Sequence, residues 1–266
     1  MLANFHTHST FSDGKDEPEE IIKYAIECGF DALGFSDHAF MDHDRRYCMK
    51  DTNGYIAEIQ RLKEKYANKI QIYLGTEEDV SHLANRKDFE YIISSLHFIY
   101  FQGKYYPLDS NYEYYTTCLN LFDGNEIALA DAYYNTFVEC LIKRKPNIIG
   151  HFDLVTKFDE LHQDRFLHNE KYWLLAENYL KKALSIGSIF EVNTGLITRG
   201  FRSSPCPHER LLKIIAKEGG KVTLSSDAHE AKHLSSGFVQ AKQILREVGF
   251  DGSYVLFNGQ WEKVSL

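Results

Sequence analysis

Residues 221–229 read KVTLSSDAH, a short β-prone run that ends on Asp227 and His229. Six earlier stretches have the same form. LANF (2–5) runs into His6-Thr7-His8, ALGFS (32–36) into Asp37-His38, and IQIYLG (70–75) into Thr76-Glu77-Glu78-Asp79. YIISSL (91–96) runs into His97, NIIG (147–150) into His151-Phe152-Asp153, and SIFEV (188–192) into Asn193. Such runs read as strands, and most are separated by segments of helical period: 18–28, 52–66, 111–122, 126–145, 169–186, 208–217 and 233–248. Pro18 and its acidic neighbours open the first helix and Gly29 closes it. Strand and helix in alternation predict a parallel α/β sheet. About seven such units without a Pro/Gly-rich linker predict a closed barrel formed by one domain over residues 1–266.

A parallel barrel gathers the C-terminal ends of its strands around one mouth. Six of the seven strand ends here carry a potential metal ligand. His6 and His8, two apart on an extended chain, point to the same face. Imidazoles and carboxylates without a thiolate suit borderline to hard divalent ions such as Zn, Fe or Mn. The ligand candidates exceed what one ion needs, and a carboxylate such as Glu77 can bridge two. Metals a few ångströms apart form a clamp for phosphoryl transfer and acidify a bridging water into a nucleophile. After SIFEV comes NTGLITRGFR (193–202), whose Arg199 and Arg202 suit a bidentate phosphate grip, with Arg199 the first choice.

The remaining histidines (His43, His82, His162, His168, His208 and His233) lie off the strand ends and read as surface or helix-capping residues. His43 is the one whose loop is placed to fold over the mouth. Glu78 and Asp79 are expected to point away from the ligands or to support them. The tyrosines between His97 and His151 read as packing.

Composition narrows the function further. The net charge of -8 argues against a general nucleic-acid or membrane-surface binder, since polyanions need a basic face. A small anionic substrate remains compatible with it. Five cysteines without a CxxC pair read as reduced thiols. The start MLANFHTHS shows no secretory pattern, and no apolar run is long enough to span a bilayer. The expectation is a cytoplasmic monomer.

HTHSTFSDG, GFSDH, LGTEED, SSLH, IIGHFDL and SSDAH, in that order, resemble the signature blocks of the polymerase-and-histidinol-phosphatase (PHP) superfamily. GYIAEIQRLKEKY, GHFDLVTKF and EVNTG followed by RGFRSSPCP resemble its monofunctional histidinol-phosphate phosphatases. The resemblance implies a distorted (β/α)7 barrel, TIM-barrel-like, with three divalent metals that hydrolyses L-histidinol phosphate in histidine biosynthesis. It implies His6, His8, Glu77 and Asp227 around the first metal, and Glu77, His97 and His151 around the second. Asp13, His38 and His229 would hold the third, with Asp13 in the SDG of related PHP phosphoesterases where many histidinol phosphatases carry cysteine and histidine. Asp227, His229 and Arg199 are the expected catalytic residues. Asp42, Asp44 and Asp153 are candidates for the rest of the substrate. The competing readings are a PHP phosphoesterase for a phosphotyrosine protein, sugar phosphate or nucleotide, a non-catalytic PHP module, and a barrel hydrolase of C–N bonds.

Overall fold

A computed structural model describes residues 1–162 and 165–266. Its strands are, in chain order, β1 (Ala3–Asn4), β2 (Ala32–Phe35), β3 (Gln71–Asp79), β4 (Tyr91–Ser95), β5 (Phe98–Phe101) and β6 (Lys104–Pro107). They continue with β7 (Ile148–Ile149), β8 (Ile189–Asn193), β9 (Lys221–Ser225), β10 (Gly252–Phe257) and β11 (Gln260–Ser265). Among the described residues seven of these form one parallel sheet in the order β1-β2-β3-β4-β7-β8-β9. Its two edges approach each other just past the ends of β1 and β9. There Thr7 bridges Ala228 in parallel, with His8 N–H donating to the Ala228 carbonyl at 2.9 Å and Ala228 N–H to the His6 carbonyl at 3.2 Å. The barrel is therefore nearly closed, and it closes at the histidine pair itself.

The helices are α1 (Pro18–Glu27), α2 (Thr52–Lys65), α3 (Tyr112–Asn120), α4 (Glu126–Arg144), α5 (Glu170–Leu184), α6 (Gly195–Thr198), α7 (Glu209–Lys217) and α8 (Phe238–Val248). In α1, Pro18 opens the first turn, and Glu17 and Glu20 form a reciprocal capping box. Ile21, Ile22 and Ala25 recur at helical spacing and are buried against β2 and α2 neighbours such as Leu33, Ile59 and Leu62. Around the rest of the barrel α3, α4, α5, α7 and α8 bury their apolar faces in one continuous cluster. No described helix is long and apolar enough to cross a membrane.

Three features differ from the sequence reading. The strand expected over 70–75 continues to Asp79, because Gly75 through Asp79 pair with Tyr91 through Ser95. Glu77 is thus on the strand, not after it. The last helix starts at Phe238, not 233, because Gly237 takes φ +77°, outside the helical region. Two antiparallel hairpins, β5–β6 and β10–β11, were not anticipated.

The C-terminal hairpin closes the barrel floor. Val255, Leu256, Trp261 and Val264 pack with Phe5, Tyr73, Tyr91 and Ile148, and the Trp261 and Phe5 rings meet edge-on at 5.3 Å. Tyr91 lies fully buried, and its hydroxyl donates to the Phe5 and Phe35 carbonyls at 2.8 and 2.9 Å. A Cβ at Gly34 or Gly75 would run into the Tyr91 ring, so these two glycines make room for the plug. A rigid aromatic floor leaves the opposite end of the barrel as the open one.

Candidate metal centre

The strand ends carry their polar residues to this open end. On β3 side chains alternate: Glu77 and Asp79 face the mouth, while Glu78 turns outward to Ser94 and to Arg144 of α4 at 2.8 Å. Glu77 is buried and sits between two sets of imidazoles. Its Oε2 lies 3.1 Å from His6 Nε2, 3.6 Å from His8 Nε2 and 2.9 Å from His38 Nδ1. Its Oε1 lies 2.9 Å from His151 Nε2 and 3.5 Å from His97 Nε2. Asp227 Oδ1 adds a second carboxylate oxygen, 3.5 Å from His6 Nε2 and 3.2 Å from His8 Nε2. At the outer edge Asp13 approaches His229 Nε2 at 3.3 Å, His38 Nε2 at 3.7 Å and His8 Nδ1 at 3.8 Å.

All nine residues singled out from the sequence meet at this mouth. Their ligand atoms form three groups within 4.8 Å: His6, His8 and Glu77; Glu77, His97 and His151; and His8, Asp13, His38 and His229. His8 belongs to two groups through its two nitrogens, where the family resemblance placed it in the first alone. Asp227 borders the first group.

The donor set fits divalent cations. His6 Nε2, both His8 nitrogens and Glu77 Oε2 are buried atoms without a hydrogen-bond partner. Leaving such atoms unsatisfied is costly, and a cation is what lone pairs converging from several sides accept. Burial alone would raise the Glu77 carboxyl, but the imidazoles of His6, His38 and His97 outweigh it and hold the group well below the usual range. Burial, reinforced by His229 and His38, pushes His8 down to about 3, so its ring is neutral and free to donate.

Non-ligand carboxylates orient the rings. Asp79 accepts from His97 N–H at 2.6 Å and lies 3.3 Å from His97 Nδ1, the support role expected for it. Asp37 ties down the loop after β1, accepting from Ser9 N–H at 2.8 Å and Ser12 Oγ at 2.6 Å. Glu191, in the middle of β8, bonds His6 Nδ1 and accepts His151 N–H at 2.7 Å. The sequence reading passed over Glu191, although a lone carboxylate inside an apolar strand was a signal.

The two loop arginines have different fates. Arg199 lines the mouth and donates through Nη2 to Asp227 Oδ2 at 2.9 Å. Arg202 does not reach it. Its side chain is fully buried, paired with Asp153 at 3.2 Å and bonded to Thr156 Oγ1, Ser204 Oγ and the Pro205 carbonyl. The second-choice phosphate grip is therefore corrected: Arg202 pins the loop to the 3₁₀ turn after β7, because a buried guanidinium needs a buried carboxylate. The same pair removes Asp153 from the candidates for the rest of the substrate. Asp42 is exposed and bound to Arg45, also away from the mouth.

The mouth opens into a pocket of about 640 Å³. Asp44, Arg46 and Tyr47 line it from the loop after β2, and Asp109 and Lys157 from the far wall. Lys157 Nζ donates to the Asp109 carbonyl at 2.5 Å, and neither residue was legible as a site residue. His233 also lines the pocket, against expectation. His43 instead stacks on Tyr105 at 4.1 Å, and His208 caps α7, as expected of a helix-capping residue. The tyrosines of the insertion pack or face solvent.

A nearly closed parallel barrel whose mouth gathers histidines and carboxylates from successive strands defines a class of barrel built to hold several divalent metals. Residues 4–195 match the PHP domain, and the chain belongs to that family. It is 26% identical to a protein named "Probable histidinol-phosphatase" from Schizosaccharomyces pombe, over 97% of this chain and 90% of the relative. It is 25% identical to the histidinol-phosphatase of Lactococcus lactis, over 93% of this chain and 91% of that protein. Its fold is shared with the crystal structure of the Lactococcus lactis histidinol phosphate phosphatase in complex with zinc, L-histidinol and phosphate. That match has a TM-score of 0.73 and 20% identity, and covers 98% of this chain and 99% of the other.

Proposed function

We propose that this chain is a histidinol-phosphatase, hydrolysing L-histidinol phosphate to L-histidinol and phosphate as a step of histidine biosynthesis. The observation that carries the phosphatase chemistry is Glu77, one buried carboxylate whose two oxygens face different sets of imidazoles across the mouth. The substrate assignment is supported by the relatives' names together with the pocket beside that mouth.

His6, His8, Glu77 and Asp227 would hold the first divalent metal, Glu77, His97 and His151 the second, and Asp13, His38 and His229 the third. Metals bound there supply Lewis acidity, neutralising charge on phosphate oxygens and lowering the pKa of water. The chain's own residues do the rest. Arg199 adds fixed positive charge at the edge of the cluster, preorganised by its bond to Asp227, where charge builds on the phosphate. The leaving alkoxide needs a proton, and Asp227 and His229 are our candidates to relay it. Asp44 and Asp109 line the wall, each already paired with a cation of the chain, Asp44 with Arg46 and Asp109 with Lys157, so the wall meets the substrate with mixed charge. The same reading makes the protein a cytoplasmic monomer acting on a small molecule, in keeping with its acidic charge.

The test is phosphate release from L-histidinol phosphate beside other phosphomonoesters, with metal content measured on the same preparation. A strong preference for histidinol phosphate is expected. Activity confined to other esters would remove the biosynthetic substrate, and no activity in metal-loaded protein would remove the enzyme.

A further inference from the structure

Glu191 is a buried acid of the barrel interior, and none of the three ligand groups includes it. Its two oxygens receive four bonds. Oε1 takes His6 Nδ1 and Ser225 Oγ, and Oε2 takes His151 N–H at 2.7 Å and Asn193 Nδ2 at 3.1 Å. All four partners serve as donors to an ionised carboxylate. With Nδ1 so engaged, a neutral His6 keeps its proton there and leaves Nε2, which faces Glu77 and Asp227, as the atom a metal would take. Through the other oxygen the same carboxylate fixes the backbone from which His151 reaches Glu77.

We propose that Glu191 is a positioning residue for metal binding: it sets the tautomer and direction of His6 and the placement of His151, and so governs how tightly two adjoining metals are held. The proposal rests on the reading of His6 and His151 as ligands. A carboxylate behind a ligating imidazole raises its basicity and removes the freedom to turn away. Here one carboxylate backs the His6 ring and anchors the backbone of His151, ligands of two groups, from β8, a strand that supplies no ligand of its own.

Glu191→Gln preserves shape but sets an amide NH2 against donors, so it cannot satisfy both sides at once. The experiment titrates zinc into metal-free protein in competition with a chromophoric chelator, at a temperature where circular dichroism shows the fold intact. Wild type is compared with Glu191→Gln, Glu191→Asp and Glu78→Gln, the last changing a buried carboxylate that faces away from the mouth. We expect zinc affinity in Glu191→Gln to fall on the order of 10–100-fold, with Glu191→Asp between it and wild type and Glu78→Gln unchanged. Should Glu191→Gln not fold, a weakened affinity in Glu191→Asp carries the same conclusion. Zinc affinity equal to wild type in the folded variants, even with a lowered melting temperature, would make Glu191 merely structural and overturn the proposal. A wild type that binds no zinc would instead overturn the ligand reading beneath it.

Discussion

Replacing Arg202 by leucine and, separately, Arg199 by alanine separates two residues that look equivalent in sequence. Arg202 is fully buried, and its partner Asp153 is too. Removing the guanidinium strips the Asp153 carboxylate of its charged partner while His208 N–H still donates at 2.9 Å, and removes the bonds to Thr156, Ser204, Cys206 and the Pro205 carbonyl. Breaking a buried pair from one side costs about 3–5 kcal/mol. At roughly 2–4 °C per kcal/mol for a domain near this size, that is a fall in Tm of about 6–20 °C. Arg199 is one-third exposed, and Asp227 keeps His6 and His8 as neighbours, so its loss should cost no more than about 1 kcal/mol. Its loss should instead lower kcat/KM on the order of 100-fold or more, the scale for removing a preorganised charge from a transition state. Calorimetry and phosphate-release kinetics on both variants read the two effects. If Arg202→Leu melted like wild type while losing kcat/KM, the assignment of Arg202 to the scaffold would be wrong. A large fall in Tm with normal kinetics for Arg199→Ala would refute the other half.

Zinc binding should release protons. Burial alone would lower His97, but Glu77 and Asp79 outweigh it and push it up to about 10. It is therefore protonated at pH 7.5 and must shed that proton to ligate, so affinity should weaken as pH falls; a pH-stat titration at pH 7.5 showing no proton release would contradict this. Gly75→Ala would push a methyl into the Tyr91 ring and should cost about 1–3 kcal/mol, read as a lowered urea midpoint at unchanged m. Among the thiols, exposed Cys28 should react first with a thiol reagent. Buried Cys118, raised to about 12 by burial and by Asp109, should react only on unfolding; equal rates in the native protein would refute the packing around it.

The legible part of this protein is what local pattern encodes. Strand periodicity and the histidine or carboxylate at successive strand ends were enough to place His6, His8, Glu77, His97, His151 and Asp227 at one mouth, because a parallel barrel leaves their strands only one geometry. Two hairpins escaped notice although local signals existed: Asn258-Gly259 is a two-residue turn with positive φ at both positions, the type I′ form. Other outcomes had no local signal. Arg199 and Arg202 sit in one loop, and only the position of Asp153, 49 residues away, decides that the second is buried. Lys157 and Asp109 meet across 48 residues, and Glu191 reaches His6 across 185. The barrel and the ligand set at its mouth could be read from short segments, since backbone alternation and ligand type are local properties. Which charges face the pocket and which brace it depends on the folded chain, because a charge is stably buried only where a distant partner arrives to meet it.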